Sequence, residues 1–188
     1  MGMVILAIIA FLAIAIVMYF VTIYNGLIVL SRNIDKAWSN IDVLLKQRHD
    51  EIPKLVKVCE GYMQFERQTL EKITLARTAC MNAGSVAASA QAEGQLSGLL
   101  KNLFAVAENY PDLKANTNFT QLQTRVSYLE SQIADRRELF NESTNTYNIR
   151  IAQIPDVFVA NMLAMKPRDL FQVAESDRQD VTIDFKMP

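Results

Sequence analysis

The apolar and polar positions divide the chain into an uninterrupted apolar run and a long periodic region. No charged side chain occurs before Arg32, and the sequence from Val4 to Tyr24 is almost entirely aliphatic or aromatic. A helix of this length is about 30 Å long, the thickness of a bilayer's hydrocarbon core. The pattern predicts a transmembrane anchor over residues 1–25, with the span at about 4–24.

A cleaved signal peptide is the alternative interpretation of this segment. Signal peptides have a basic n-region, a short apolar region and a cleavage site with small residues. Here no Lys or Arg precedes the run, the run is too long, and Leu27–Leu30 continues it directly. These features favour an anchor that is retained.

The basic residues near the anchor predict its orientation. Only the α-amine precedes the span, whereas Arg32, Lys36, Lys46 and Arg48 follow it. Because Lys and Arg are retained on the cytoplasmic side, we predict a single-pass protein of the inner (cytoplasmic) membrane. Its N-terminus would lie outside and its C-terminal domain in the cytoplasm.

Beyond the anchor, apolar residues recur at intervals of three and four, the period of an amphipathic helix. The pattern predicts an all-α fold, an antiparallel bundle of long helices over residues 26–168 with a tail over 169–188. The first helix is marked by Leu27, Leu30, Ile34, Ala37, Trp38, Ile41 and Leu45, then by Ile52, Val56, Cys59, Met63, Leu70, Ile73 and Ala76. Pro53 interrupts it, and the unbroken phase favours a kink over a reversal, with Asp50 able to cap a restarted helix.

Two further helices are predicted after a connection. The small side chains of residues 81–95 indicate a surface segment with helical fringes. A second helix follows and ends before Pro111, and 111–116 form a loop. The residues that mark the second helix are Leu96, Leu99, Leu103, Ala107 and Tyr110.

The third helix is predicted to start at Asn118, with Gln121 completing a capping box, and to end at Pro155. Its seam resembles coiled-coil packing, with two polar positions that could fix register. The seam comprises Phe119, Leu122, Val126, Leu129, Ile133, Arg136, Phe140, Ser143, Tyr147 and Arg150. A short helix over 157–165 should precede Pro167. The tail, where Val181, Ile183 and Phe185 alternate with polar residues, is either a short extended segment or disordered.

Charge and cysteine content limit the classes of function. The formal net charge is -1, which gives no electrostatic case for nucleic-acid binding. Cys59 and Cys80 have no metal-ligand spacing. Two buried thiols in a reducing compartment are favoured over a disulfide, in agreement with a cytoplasmic domain.

The candidate chemistry centres on His49, the only histidine. With Asp42, Arg48, Asp50 and Glu51 it could bind a cation or act in acid–base chemistry, as in a cryptic hydrolase. Adjacent residues on a helix point in different directions, so a solvated, capped kink is the favoured interpretation.

Two other residues keep alternative roles. Asp112 could contact a partner or cap a helix, and Trp38 could lie in the core, the favoured position, or near the headgroups. One histidine and two cysteines cannot build a four-ligand zinc site of these residues alone. We therefore assign no catalytic, cofactor-binding or metal-ligating residue.

Several short motifs in a fixed order resemble the bacterial LemA family. They are Tyr24-Asn25-Gly26-Leu27, Ala37-Trp38-Ser39-Asn40-Ile41-Asp42-Val43, Arg48-His49-Asp50-Glu51-Ile52-Pro53-Lys54-Leu55-Val56, Gly61-Tyr62, Tyr110-Pro111-Asp112-Leu113-Lys114-Ala115-Asn116, Phe119-Thr120-Gln121-Leu122-Gln123 and Tyr147-Asn148. The resemblance covers nearly the whole chain. It implies one N-terminal transmembrane helix, a helical bundle and no settled molecular function. Residues 164–173 depart from the family's pattern near the C-terminus.

The favoured hypothesis is a non-enzymatic, membrane-anchored scaffold or adaptor. Its expected partners are membrane lipid, further copies of itself and an unidentified protein. An accessory subunit of a membrane protease or signalling system is the alternative, and a hydrolase is less favoured.

Overall fold

The structure is a computed structural model that describes residues 1–172, and every described element is helical. In order, the elements are α1 Gly2–Glu60, a 3₁₀ turn at Gln64–Glu66, α2 Arg67–Met81, α3 Val86–Ala107, α4 Pro111–Ala115, α5 Thr117–Ala152 and α6 Asp156–Met162. The predicted all-α bundle with an N-terminal apolar helix is confirmed. Tail positions 181, 183 and 185, which were expected to be either extended or disordered, lie outside the described residues.

Helix α1 contains both the apolar run and the first amphipathic stripe. It is the one described helix long and apolar enough to cross a membrane. Every residue up to Tyr19 is exposed, and the buried stripe begins at Ile23 and Leu27. The helix runs through Pro53 without a reversal, in agreement with the preference for a kink over a reversal. Asp50 lies inside α1, so it does not cap a restarted helix.

The helical packing divides the chain into two compact units. The first unit comprises Met1–Asp42 and Asp135–Leu170, and the second comprises Val43–Ala134 with Phe171 and Gln172. In the first unit α1 and α5 are antiparallel, because Gly26 lies beside Arg150 while the Trp38 and Phe140 rings are 5.6 Å apart. The buried apolar residues that this unit contributes are Ile23, Leu27, Ile34, Ile41, Phe140, Tyr147, Ile151, Val159 and Ala160.

The second unit has the larger apolar core. Helices α2 and α3 pack against each other, and the C-terminal part of α1 and the start of α5 complete the cluster. Its buried residues are Ile52, Leu55, Val56, Cys59, Met63, Leu70, Ile73, Cys80, Leu96, Leu100, Leu103, Ala107, Leu113, Phe119 and Val126. Cys59 and Cys80 are both free, buried thiols, as expected.

Three sequence-based boundaries were wrong. The first helix ends at Glu60 and α2 starts at Arg67, although the apolar spacing continues across the break. Only Asn82–Ser85 separates α2 from α3, so most of the predicted surface connection is helix, capped by the Ser85 hydroxyl, which accepts from the Ala88 amide. Pro111 begins the short helix α4 rather than a loop.

The start and the seam of the third long helix also differ from expectation. Asn116, not Asn118, caps α5, because its side-chain oxygen accepts hydrogen bonds from the amides of residues 118 and 119. Arg136 is exposed, and Thr144 is buried in place of Ser143. A straight helix drifts relative to a strict heptad, which accounts for the shift late in the seam.

Candidate functional site

A buried polar network centres on Arg48, whose side chain is 1% exposed. Its guanidinium donates through Nη2 to the Glu93 carboxylate and through Nη1 to the Glu130 carboxylate. Nη1 also donates to the Ser97 hydroxyl at 2.9 Å, and that hydroxyl donates to Glu130 Oε2 at 2.9 Å. His49 Nε2 lies 2.9 Å from Glu93 Oε1. All five residues belong to the second unit.

The helical period brings these side chains together. Arg48 lies between the buried Leu45 and Ile52 on the stripe of α1. Glu93 and Ser97 are four residues apart on α3 and therefore share a face. Glu130 is four residues after the buried Val126 on α5. The network thus joins three helices through one cation.

Charge and burial set the ionisation of Glu93, which is 3% exposed. Burial by itself raises the pKa of this carboxyl, but the hydrogen bond with His49 and the Arg48 charge together outweigh burial and hold the pKa below its ordinary value. Glu93 is therefore ionised in the folded protein at neutral pH. The Arg48–Glu93 pair is a fully desolvated ion pair.

The depressed pKa of Glu93 makes the fold sensitive to acid. A carboxyl whose pKa is lower in the folded than in the unfolded chain contributes stability above its unfolded pKa and loses it as pH falls through the folded value. We expect the stability of the full chain to decrease below about pH 4.5, with Glu93→Gln flattening this part of the profile. Urea unfolding midpoints from pH 3 to 7 would measure it. An unchanged slope in the variant would contradict the ionised pair.

Pro53 leaves one backbone carbonyl of α1 without its helical hydrogen bond, and a second arginine donates to that carbonyl. Proline has no N–H, so the His49 carbonyl, four residues earlier in α1, loses its helical partner. Arg77 of α2 donates through Nε to this carbonyl at 2.7 Å. This hydrogen bond connects α2 to α1 near Pro53, at the backbone of His49, which is itself part of the Arg48 network.

This arrangement predicts coupling between Arg77 and Pro53. Arg77→Met should lower the free energy of unfolding by about 1–3 kcal/mol, because the His49 carbonyl is left without a donor. In a Pro53→Ala background the new amide can satisfy that carbonyl, so the same substitution should cost clearly less. A double-mutant cycle by urea unfolding measures the difference. Equal losses in both backgrounds would show that Arg77 does not replace the missing amide.

The network also contains a set of atoms with metal-ligand chemistry. One ligand atom each from His49, Cys80 and Glu93 lie within 4.8 Å of one another. Imidazole, thiolate and carboxylate suit zinc and similar cations. However, burial, followed by the Glu93 charge, raises the pKa of Cys80 to about 12, and Arg48 already neutralises Glu93. The arrangement therefore favours an ion-paired network with a neutral thiol over a cation site.

The structure separates the residues of the hypothetical hydrolase group. Asp42 and Asp50 are exposed, and Glu51 pairs with Lys54 at 3.0 Å. The solvated kink expected around Arg48 and His49 is wrong, because both side chains are buried. Their partners come from α3 and α5, which α1 meets only in the folded chain.

The remaining candidates have structural positions. Asp112 is exposed in the first turn of α4, and its side chain does not cap that helix. Trp38 is half-buried and packs at 57° against Phe140, as expected for a residue at the core. Sequence reasoning missed Glu93, Ser97 and Glu130. The available signal was their spacing, since Glu93 precedes Leu96 and Leu100 on the buried stripe of α3.

Comparison with known proteins supports the resemblance to the LemA family. The sequence model of the LemA family matches residues 37–185. Protein LemA of Metamycoplasma hominis is 30% identical over 168 residues, covering 88% of this chain and 77% of that protein. Magnetosome protein MamQ 2 of Paramagnetospirillum magneticum is 25% identical over 175 residues, and MamQ of Magnetospirillum gryphiswaldense is 22% identical over 174.

The relatives differ from this chain in length. The matches to the MamQ proteins cover 79% of this chain and span only 64% of the relatives' own length. The family match, in contrast, takes in most of the chain, including α2 to α6 and the residues of the Arg48 network. This protein is therefore a member of the LemA family.

Proposed function

We propose that this protein is a membrane-anchored helical scaffold or adaptor that self-associates and carries out no catalysis itself. The observation that carries the proposal is the continuity of α1. Residues 4–24 supply an apolar segment without charge, and the same helix then contributes buried residues from Ile23 to Cys59. No loop interrupts the helix between the anchor and the packed stripe. Such a helix suits a protein that holds a binding surface at a fixed place on a membrane.

The Arg48 network supports a structural role for the interior. A buried charge is tolerated when it is paired and hydrogen-bonded, and such groups can fix the register of helices. Here one arginine joins α1, α3 and α5 through two carboxylates and a hydroxyl. We propose that this network defines the packing of the second unit, which is the part offered to partners.

The charge pattern supports an inner-membrane location with the N-terminus outside. Arg32, Lys36 and Lys46 follow the span, whereas the α-amine alone precedes it. A reporter that is active only outside the cytoplasm, fused after Pro188, should stay inactive. A reporter fused before Met1 is the matched control and should be active. The reverse pair of results would invert the orientation.

Tethering in a membrane supports the proposed self-association. Copies confined to a membrane have a high effective concentration, so weak contacts between domains become populated. On α1 just beyond the first unit's stripe, Ile41 and Leu45 are buried, Leu44 is half-buried and Val43 is 54% exposed. We therefore propose the exposed side of α1 around Val43 as the contact.

Cross-linking in native membranes tests this contact. Cys59 and Cys80 are buried and have pKa values of about 12, so the natural chain is a suitable background of low thiol reactivity. Val43→Cys should give dimers and larger species with a short thiol cross-linker. Gln95→Cys, at an exposed position of α3, is the control and should give few. Monomer alone from Val43→Cys, at native expression, would discard this interface.

A second candidate function is an accessory subunit that receives another protein. A groove of about 850 Å³ lies between the end of α1 and α2, lined by Val56, Glu60, Met63, Gln64, Arg67, Leu70, Glu71 and Thr74. Phe65, in the adjoining 3₁₀ turn, is 94% exposed. If this alternative holds, Phe65→Asp should remove a co-isolating protein while leaving the Val43 cross-link intact.

A further inference from the structure

Helix α6 and the turn before it carry an exposed apolar patch next to the buried residues of the helix. Val159 and Ala160 are buried at 4% and 1% exposure. Ile154, just before the helix, and Phe158 and Met162 within it are 79%, 67% and 65% exposed. Phe158 and Met162 are four residues apart, the spacing that aligns side chains on one side of a helix, and Ile154 lies in the turn that leads into α6. A patch of large side chains at this spacing marks an interaction surface.

The patch lies at the end of α5 that is nearest the anchor. Gly26 of α1 lies beside the Arg150 side chain. A Cβ added at Gly26 would be 3.9 Å from Arg150 Nη2, an ordinary van der Waals contact. Gly26 is two residues beyond the predicted span of 4–24. Asp156 at the start of α6 forms an ion pair with Arg150. Helix α6 is therefore held beside the residues where α1 leaves the bilayer.

The polar and basic residues that follow α6 are of the kind that can face lipid headgroups. After α6 the chain returns to α1 and α5, where the Lys166 carbonyl accepts from the Tyr147 hydroxyl and Arg168 lies 3.5 Å from Asp35. The Lys166 side chain is exposed, and that of Arg32 is 80% exposed. Exposed apolar side chains on a short helix, with exposed Lys and Arg elsewhere in the same unit, are the composition of a helix that lies in a membrane interface.

We propose that Ile154, Phe158 and Met162 form a second membrane contact, in which α6 lies in the interfacial region of the bilayer beside the anchor. The proposal rests on the membrane anchoring given under the proposed function. It adds a contact that limits the tilt and rotation of α1, because the bilayer would be touched at two places of one packed unit. The occupant of the patch is lipid, not a second copy of the chain.

Tryptophan fluorescence with brominated lipids tests the proposal in the full chain. In a Trp38→Phe background, Phe158→Trp places one reporter on the patch, and Met162→Trp is a second reporter at another patch position. Leu139→Trp is the control, since Leu139 is a similarly apolar residue of the same unit, 48% exposed and adjacent to Phe140, which packs on Trp38 away from the span. Phe11→Trp reports the anchor itself. Each variant is reconstituted into vesicles containing about 20% anionic lipid, with bromines placed either high or low on the acyl chains.

The proposal expects roughly twofold or greater quenching of both patch reporters by bromines high on the chains, and less by deep ones, as for side chains about 5–10 Å into the interface. The Leu139→Trp reporter should be unquenched by lipid and open to aqueous iodide. If Phe11→Trp is quenched but both patch reporters behave like the control, the second contact is wrong and the anchor stands. If Phe11→Trp is not quenched, anchoring itself fails. Patch reporters protected from iodide without lipid quenching would show that protein covers the patch, which also overturns the proposal.

Discussion

Replacing Glu93 with alanine is expected to lower the free energy of unfolding by about 3–5 kcal/mol, because the Arg48 guanidinium would remain buried without its principal counter-ion. Arg48 is 1% exposed and cannot reach solvent without a change in helix packing. Glu130 is 30% exposed at its side chain and would compensate only in part. Urea unfolding of the full chain in detergent micelles, followed by far-ultraviolet circular dichroism, measures the loss.

Two further variants separate the charge effect from loss of side-chain volume. Arg48→Met combined with Glu93→Leu removes both charges and keeps apolar bulk, and buried pairs replaced in this way are often close to neutral in stability. The double variant should therefore be more stable than Glu93→Ala alone. Glu130→Ala should cost less than Glu93→Ala, since Glu130 is partly solvated. Additive losses for Arg48 and Glu93 would contradict a direct ion pair between them.

Truncating Leu129 to alanine should cost about 2–5 kcal/mol, because the residue is fully buried and its removal leaves a cavity in the packing around α5. Leu139 offers a matched control on the same helix, with 48% of its surface exposed. Leu139→Ala should change the free energy of unfolding by no more than about 0.5 kcal/mol. The same urea titrations measure both. Similar losses at the two positions would show that α5 packs with a different face.

The features predicted from sequence are those with a strong local signal. The apolar run identified the N-terminal helix that is long and apolar enough to cross a membrane, and the three-and-four spacing identified the helices and most buried positions of α1 and α5. The continuous phase across Pro53 correctly excluded a reversal of the chain there. These signals are local because helical side chains three and four apart share a face regardless of what that face meets.

The misplaced boundaries have a different origin. The break between Glu60 and Arg67 preserves the apolar spacing, since Cys59, Met63 and Leu70 remain in phase while the chain turns. Residues 86–95 have small side chains and little apolar surface, yet α3 buries Ser89, Ala90 and Glu93 against neighbouring helices. Tertiary packing therefore sets the helix boundaries at both places. The spacing of apolar residues along the sequence carries no information about that packing.

The Arg48 network illustrates the same limit for a site. His49 and Arg48 were recognised as candidates, but the carboxylates near them in sequence are not their partners. The actual partners, Glu93 and Glu130, are 45 and 82 residues from Arg48 along the chain. Charged residues on an otherwise apolar stripe were the available indication, because an isolated buried charge is too costly to occur without a partner.

The most direct test of a membrane-anchored helical scaffold is the behaviour of two chains in cell fractions. The full chain should remain with membranes after alkaline carbonate extraction. A chain that starts at Asn25 should be soluble, equally helical over its remaining residues and cooperative in unfolding, because the buried residues of both units lie almost entirely after that position. Release of the full chain by carbonate would contradict the anchor, and aggregation or a broad, non-cooperative transition of the shorter chain would contradict a domain that folds apart from it.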